Sequence, residues 1–199
     1  MKNLKVEDFK SELMASPTSF ICSKWIFDRI PHVFGEDRVA FIKWKEELAT
    51  KIGIDSKSMV LTGSASCGFS LNPHKNYRLY NDESDVDVAI ISELYFDIAW
   101  KELRNLGTKR YDLTPKQKAS LQDHVDRLIY WGTIATDKLL ELFPFGKEWA
   151  FHLLDLAKLE PINNKAINIR LYKDFESLRA YHVNNLEKIK LQLFQNTTI

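Results

Sequence analysis

The chain has 199 residues, 45% of them hydrophobic, with 28 basic side chains against 27 acidic ones and a formal net charge of +1. That length suits one domain, or a small domain with a helical extension, and the near-neutral balance excludes a general electrostatic pull toward nucleic acid or a membrane surface. No apolar run reaches membrane-spanning length, the N-terminus lacks the apolar core of a signal peptide, and the two cysteines, Cys22 and Cys67, lie far apart without metal-ligand spacing, so the sequence reads as a cytoplasmic, soluble protein with free thiols.

Val6, Phe9 and Leu13 recur at helical spacing and predict a short amphipathic helix, ended by Ser16-Pro17. The stretch Phe20–Ile30 is rich in large apolar residues and closes at Pro31. A second helix is expected from Asp37 to Ile52, with Phe41, Trp44, Leu48 and Ile52 as its apolar stripe and Gly53 as its C-terminal cap. Met59–Leu61 is an apolar run of the buried-strand type, broken by Gly63-Ser64, after which small residues are suited to starting a helix. Residues Leu71–Glu83 form a long polar connection containing Lys75 and Arg78, and His74 is the histidine nearest the acidic residues that follow. Val86, Val88, Ile90 and Ile91 mark a second strand.

Ser92 is the expected cap of a helix running to Leu106, with Gly107 after it. Thr114, Pro115 and Gln117 give a capping box, and Leu121, Val125, Leu128 and Ile129 make the stripe of the helix that follows. Gly132 interrupts it. Thr133–Phe143 is expected to continue as helix until Pro144, and Trp149–Leu159 to form another, ended by Pro161. Ala166–Tyr172 alternates apolar and polar residues and reads as a third strand. Asp174 is placed to cap a last helix with Leu178, Tyr181, Leu186, Ile189 and Leu193 inward, and residues from Gln195 on are expected to fray. The aromatics Tyr130, Trp131, Phe143, Phe145 and Trp149 suit core packing, or a stacking platform for a nucleobase.

The chemistry concentrates between Ser58 and Ser92. Asp85 and Asp87 are two apart on a strand, so both carboxylates project from one face. Close carboxylates repel unless a cation lies between them, and oxygen ligands favour magnesium or manganese. The Gly63-Ser64 turn lets an anion approach backbone amides. An anion cradle beside a carboxylate-held metal suits a nucleoside triphosphate.

This order of strand, Gly63-Ser64, short helix with Gly68, then Ser84-Asp85-x-Asp87 on a strand resembles the polymerase-β-type nucleotidyltransferase superfamily, closest to its small minimal and antibiotic-modifying bacterial members. The resemblance covers residues 58–92. It implies an α/β (α+β) fold: a small mixed sheet with a mainly helical remainder, in which residues 37–92 and strand 166–172 form the core, 93–160 a helical insertion and 174–194 a C-terminal helix of one domain. It implies Asp85 and Asp87 as metal ligands and catalytic residues, and Gly63, Ser64 and Ser84 as nucleotide contacts, with Lys75 and Arg78 in reach of the triphosphate. The family's third carboxylate has no clean counterpart. The polar face of the third strand offers Asn168, able to give a metal a carbonyl oxygen, and Arg170, able to hold a phosphate and offset transition-state charge. Asp82, Glu83, Asp155 and Asp174 remain as other candidates. The expected activity is metal-dependent transfer of a nucleoside monophosphate from an NTP to an acceptor hydroxyl: of a protein, an RNA end, a nucleotide or a small molecule. The alternative is a degenerate fold that binds a nucleotide or a partner protein, as an antitoxin-like regulator.

Overall fold

The computed structural model describes residues 4–72 and 75–197, so His74 lies outside the described residues. Helix α1 (Leu4–Ala15) buries Val6, Phe9 and Leu13, and the chain continues through α2 (Thr18–Cys22) and a π-helical turn, Ser23–Phe27. Helix α3 (Arg38–Ile52) starts where the Asp37 carboxylate accepts from the Ala40 amide at 2.8 Å and ends at Gly53. Strand β1 (Met59–Thr62) leads straight into α4 (Gly63–Cys67), a single turn. Strand β2 (Val86–Ile91) is followed by α5 (Glu93–Arg104), capped by Ser92. Helix α5 ends on Asn105, and Gly107 begins a 3-10 turn instead of closing the helix.

The Thr114–Gln117 capping box starts α6 (Pro115–Asp123) as expected, but the helix then loosens into a π-helical turn, His124–Leu128. The extra residue in that turn rotates the side chains that follow. Leu128 stays buried at 1% exposure while Val125, expected in the same stripe, is 68% exposed. The largest correction follows Gly132. Thr133–Phe143 is not helical throughout: Thr133–Ala135 is a strand, β3, and Leu140–Leu142 a 3-10 turn. Gly132 in the left-handed region turns the chain, and the Thr133 and Thr136 hydroxyls donate to the carbonyls of Leu171 and Ile169, tying the segment to its neighbour. Helix α7 (Gly146–Ala157), strand β4 (Ile167–Tyr172) and helix α8 (Phe175–Thr197) complete the chain, and α8 runs two residues past Gln195 instead of fraying there. Asp174 accepts from the Ser177 amide at 2.7 Å and starts α8.

The fold is mixed α+β, with one four-stranded sheet in the order β1-β2-β4-β3. Strand β2 pairs antiparallel with β1 and parallel with β4, and β3 closes the other edge antiparallel to β4. Alternation gives the sheet two unlike faces. Val86, Val88, Ile90, Ile167, Ile169 and Leu171 point into the main core, packed against Trp44, Leu48 and Ile52 of α3, Phe96 of α5 and Trp149 of α7. Phe143, Phe145 and Trp149 belong to this core with Tyr95, whereas Tyr130 is 83% exposed beside Trp131. The opposite face carries Asp87 and Ala89 on β2 and Asn168, Arg170 and Tyr172 on β4. Leu178 of α8 packs with Ala89, Ile91 and Tyr172 over one end of it. Leu186 and Ile189, further along α8, join α1 and α2 in a second core. The polar end of the face is therefore left uncovered, between the Gly63 turn and α8. No described helix is long and apolar enough to cross a membrane, and both cysteines are free and buried.

Candidate functional site

Register builds the site. Asp87 sits opposite Thr62 on one side and Asn168 on the other, and Arg170 is two residues further along β4, opposite Ala89. Gly63 follows Thr62 with φ +64°, and a methyl group at its α-carbon would collide with the Asp87 carboxylate. The glycine is thus required both by the turn and by the close approach of Asp87. The amides of the first turn of α4 have no partner within the helix, and Gly63 and Ser64 line a cavity together with Asp87.

Two adjoining cavities meet here. The smaller, about 230 Å³, is lined by Gly63, Asp87, Asn168, Arg170 and Asp137, which follows β3. The larger, about 640 Å³, runs from Gly63 and Ser64 past Lys75 to Arg127 and Asn185. Gly63, Asp87, Arg170, Tyr181 and His182 border both. The combined cleft falls in the size class of small-molecule sites.

Burial pushes the Asp87 carboxyl above its ordinary value, against the pull of the Arg170 guanidinium; Asp85 pushes it further up, while Lys75 and a hydrogen bond from Asn168 pull it down. The carboxylate is therefore held under charge stress that a cation would relieve. Asp85 does not lie on the strand as expected: it precedes β2, is exposed and lines neither cavity, and it acts on Asp87 through its charge. Arg170 is half-buried and stays charged, as a guanidinium does, with the Asp87 carboxylate as its nearby opposite charge. Its Nη1 donates to the Tyr181 hydroxyl at 2.6 Å and its guanidinium lies 5.2 Å from that ring's centroid.

The other expected residues divide. Lys75 faces the cleft because its loop is pinned: Phe69 pairs with Leu79, and Tyr77 packs against Phe9 and Phe69. Arg78 is exposed and lines neither cavity. Ser84 is buried, and its hydroxyl accepts from the Asn81 amide at 3.1 Å, so it holds the turn before β2 and lines neither cavity. None of the other candidate acids joins the pair. Asp155 pairs with Lys51 at 3.2 Å, Asp174 caps α8, Asp82 pairs with Lys165 at 3.5 Å and Glu83 is exposed. Among the described residues no group of three or more His, Cys, Asp or Glu side chains converges to hold a metal ion.

Sequence reasoning missed Arg127, Asp137, Asn185 and the cleft-lining role of Tyr181 and His182. One signal was present: polar His182 and Asn185 interrupt the apolar side of α8 between Leu178 and Leu186. His182 is held neutral, its basicity lowered to about 3 by burial and then by Arg170. His124 is structural: its Nδ1 hydrogen-bonds the Ser120 carbonyl at 2.6 Å and its Nε2 accepts from the Ala135 amide at 3.0 Å. Compared with protein-family models, curated proteins and solved structures, the chain matches none.

Proposed function

We propose that the chain is a nucleotidyltransferase of the polymerase-β type, transferring a nucleoside monophosphate from an NTP to an acceptor hydroxyl. The observation that carries this reading is the contact of the Gly63 turn with the Asp87 carboxylate, at the head of a cleft that also holds Ser64, Lys75 and Arg170. Carboxylates alone would repel a triphosphate, and cations alone would need no acids; the two sets together suit a metal-nucleotide complex.

The donor set fits one hard divalent cation, magnesium or manganese: carboxylate oxygens of Asp85 and Asp87, with the Asn168 side chain beside Asp87, whose charge burial and Asp85 disfavour more than Arg170 and Lys75 relieve. When bound, such an ion neutralises triphosphate charge and favours the leaving pyrophosphate. The chain's own residues do the rest. The Gly63 and Ser64 amides and the Ser64 hydroxyl hold phosphate oxygens. Lys75 closes on them from the loop. Arg170, fixed by Tyr181, offsets charge that develops as the acceptor oxygen attacks the α-phosphorus. Catalysis rests on positioning and electrostatics, without a covalent enzyme intermediate. The buried free thiols of Cys22 and Cys67 fit a cytoplasmic setting.

One observation favours a second reading. With no three-acid group among the described residues, and Asn168 opposite Asp87 where a third acid would complete the site, the cleft also suits a protein that binds a nucleotide without turnover and regulates a partner protein. Pyrophosphate release from each NTP with magnesium or manganese separates the two. Release lost in Asp85→Ala/Asp87→Ala supports the enzyme, and nucleotide binding without release supports the regulator.

A further inference from the structure

Tyr181 lies on the cleft wall formed by α8, bordering both cavities together with Gly63 and Asp87. Arg170 donates to the hydroxyl of this half-buried tyrosine at 2.6 Å from β4. Arg127, from the π-helical turn after α6, and Asn185, one turn further along α8, line the larger cavity with it, and Arg127 adds its positive charge to that of Arg170. A charge-assisted bond beside a second guanidinium favours the oxyanion form of a phenol. Burial alone would push the Tyr181 hydroxyl up, but Arg170 and Arg127 hold it below its ordinary value. The ring is fixed as well, edge-on to Tyr172 at 5.9 Å and to His182 at 5.5 Å. The two thiols are less suited as nucleophiles. Both thiols are buried away from the cleft, with burial pushing Cys22 up to about 12 and Cys67 up to about 11.

We propose that Tyr181 is a self-modification site, whose hydroxyl accepts the nucleoside monophosphate from an NTP bound in the adjoining cleft. The inference rests on the nucleotidyl-transfer reading and names the acceptor class, a tyrosine hydroxyl of the chain itself. A bond forms between the Tyr181 oxygen and the α-phosphorus. The bond from that phosphorus to the bridging oxygen of the β-phosphate breaks, and pyrophosphate leaves with the electron pair. The phenolic proton is lost to solvent, and the product is a tyrosyl phosphodiester whose remaining negative charge faces Arg127 and Arg170. Modification then places a nucleotide across the cleft, so each chain turns over once and the cleft is closed to further NTP.

The experiment uses the full chain, as purified and after incubation with each NTP and magnesium. Intact mass and peptide mapping are read alongside the melting temperature. The expected result is a gain of one nucleoside monophosphate on the peptide carrying Tyr181, absent in Asp85→Ala/Asp87→Ala. Tyr181→Phe keeps the ring and removes the hydroxyl, and it too should carry no label. A label on another residue overturns the proposal and would give Tyr181 only the task of positioning Arg170. No label while nucleotide raises the melting temperature also overturns it, leaving the nucleotide-binding reading of the cleft intact. No label and no nucleotide-dependent shift removes both.

Discussion

The Asp87 carboxylate lies against the α-carbon of Gly63, across the β1–β2 pair, with no room for a β-carbon between them. This contact fixes the turn and the acid in one arrangement, so a change on either side is felt on the other. Gly63→Ala meets two penalties. The left-handed backbone costs an alanine about 1–2 kcal/mol, and the methyl displaces Asp87. Urea denaturation should show a loss of at least that size, and magnesium-dependent nucleotide binding should disappear even where the variant remains folded.

The loop cations should separate. Lys75 faces the cleft and Arg78 does not. Lys75→Ala is expected to weaken nucleotide binding by about tenfold, equivalent to about 1.4 kcal/mol, and Arg78→Ala to leave it within about twofold. Titration calorimetry on both variants checks the contrast. Equal losses would mean that the loop acts through its overall charge.

His124 joins two elements that local sequence does not connect. Its ring spans the Ser120 carbonyl of α6 and the Ala135 amide of β3. His124→Ala leaves that buried amide without its acceptor, a cost of about 1–3 kcal/mol. Hydrogen exchange should show faster opening at Ala135 than at Ile169, in the centre of the sheet.

Stability should fall in acid, and His182 should contribute to the fall. Its folded-state value is about 3, against 6.5 for the free side chain, because burial and then Arg170 disfavour the imidazolium. Below 6.5 the unfolded chain gains a proton that the folded chain refuses. The stabilisation is thus complete above the unfolded value and is lost as pH falls toward about 3. Burial shifts His124 in the same direction. His182→Phe preserves the ring contacts with Phe27, Tyr172 and Tyr181 and should flatten the acid limb of a melting-temperature profile, leaving the part due to His124 and to the lowered carboxyls of Glu12, Asp155 and Asp174.

Much of the fold was legible because its signals are local. The Ser92, Thr114 and Asp174 caps each act within one turn, and the alternation of Ile167 to Tyr172 needs only its own six residues to be seen. Strand β3 was hidden because three residues, Thr133–Ala135, are too few for a period, and what makes them a strand is hydrogen bonding to β4 far along the chain. Val125 misled because a π-helical turn changes the helical phase, which spacing rules assume constant. At the site, the pairing of Asp87 with Gly63 is near-local and could be read. Tyr181, Arg127 and Asn185 come from elements that meet only when α8 crosses the sheet. Ser84 shows the converse. Its place beside Asp85 suggested a nucleotide contact, but its hydroxyl is spent on the Asn81 turn.

Binding of a metal-nucleotide complex in the cleft is decided by the melting temperature of the chain with each of the four NTPs, with and without magnesium, in the native sequence and in Asp85→Ala/Asp87→Ala. At least one NTP should raise the melting temperature only when magnesium is present, and the double variant should lose the rise while remaining folded. A rise of equal size in the double variant, or no rise with any NTP, would contradict such binding.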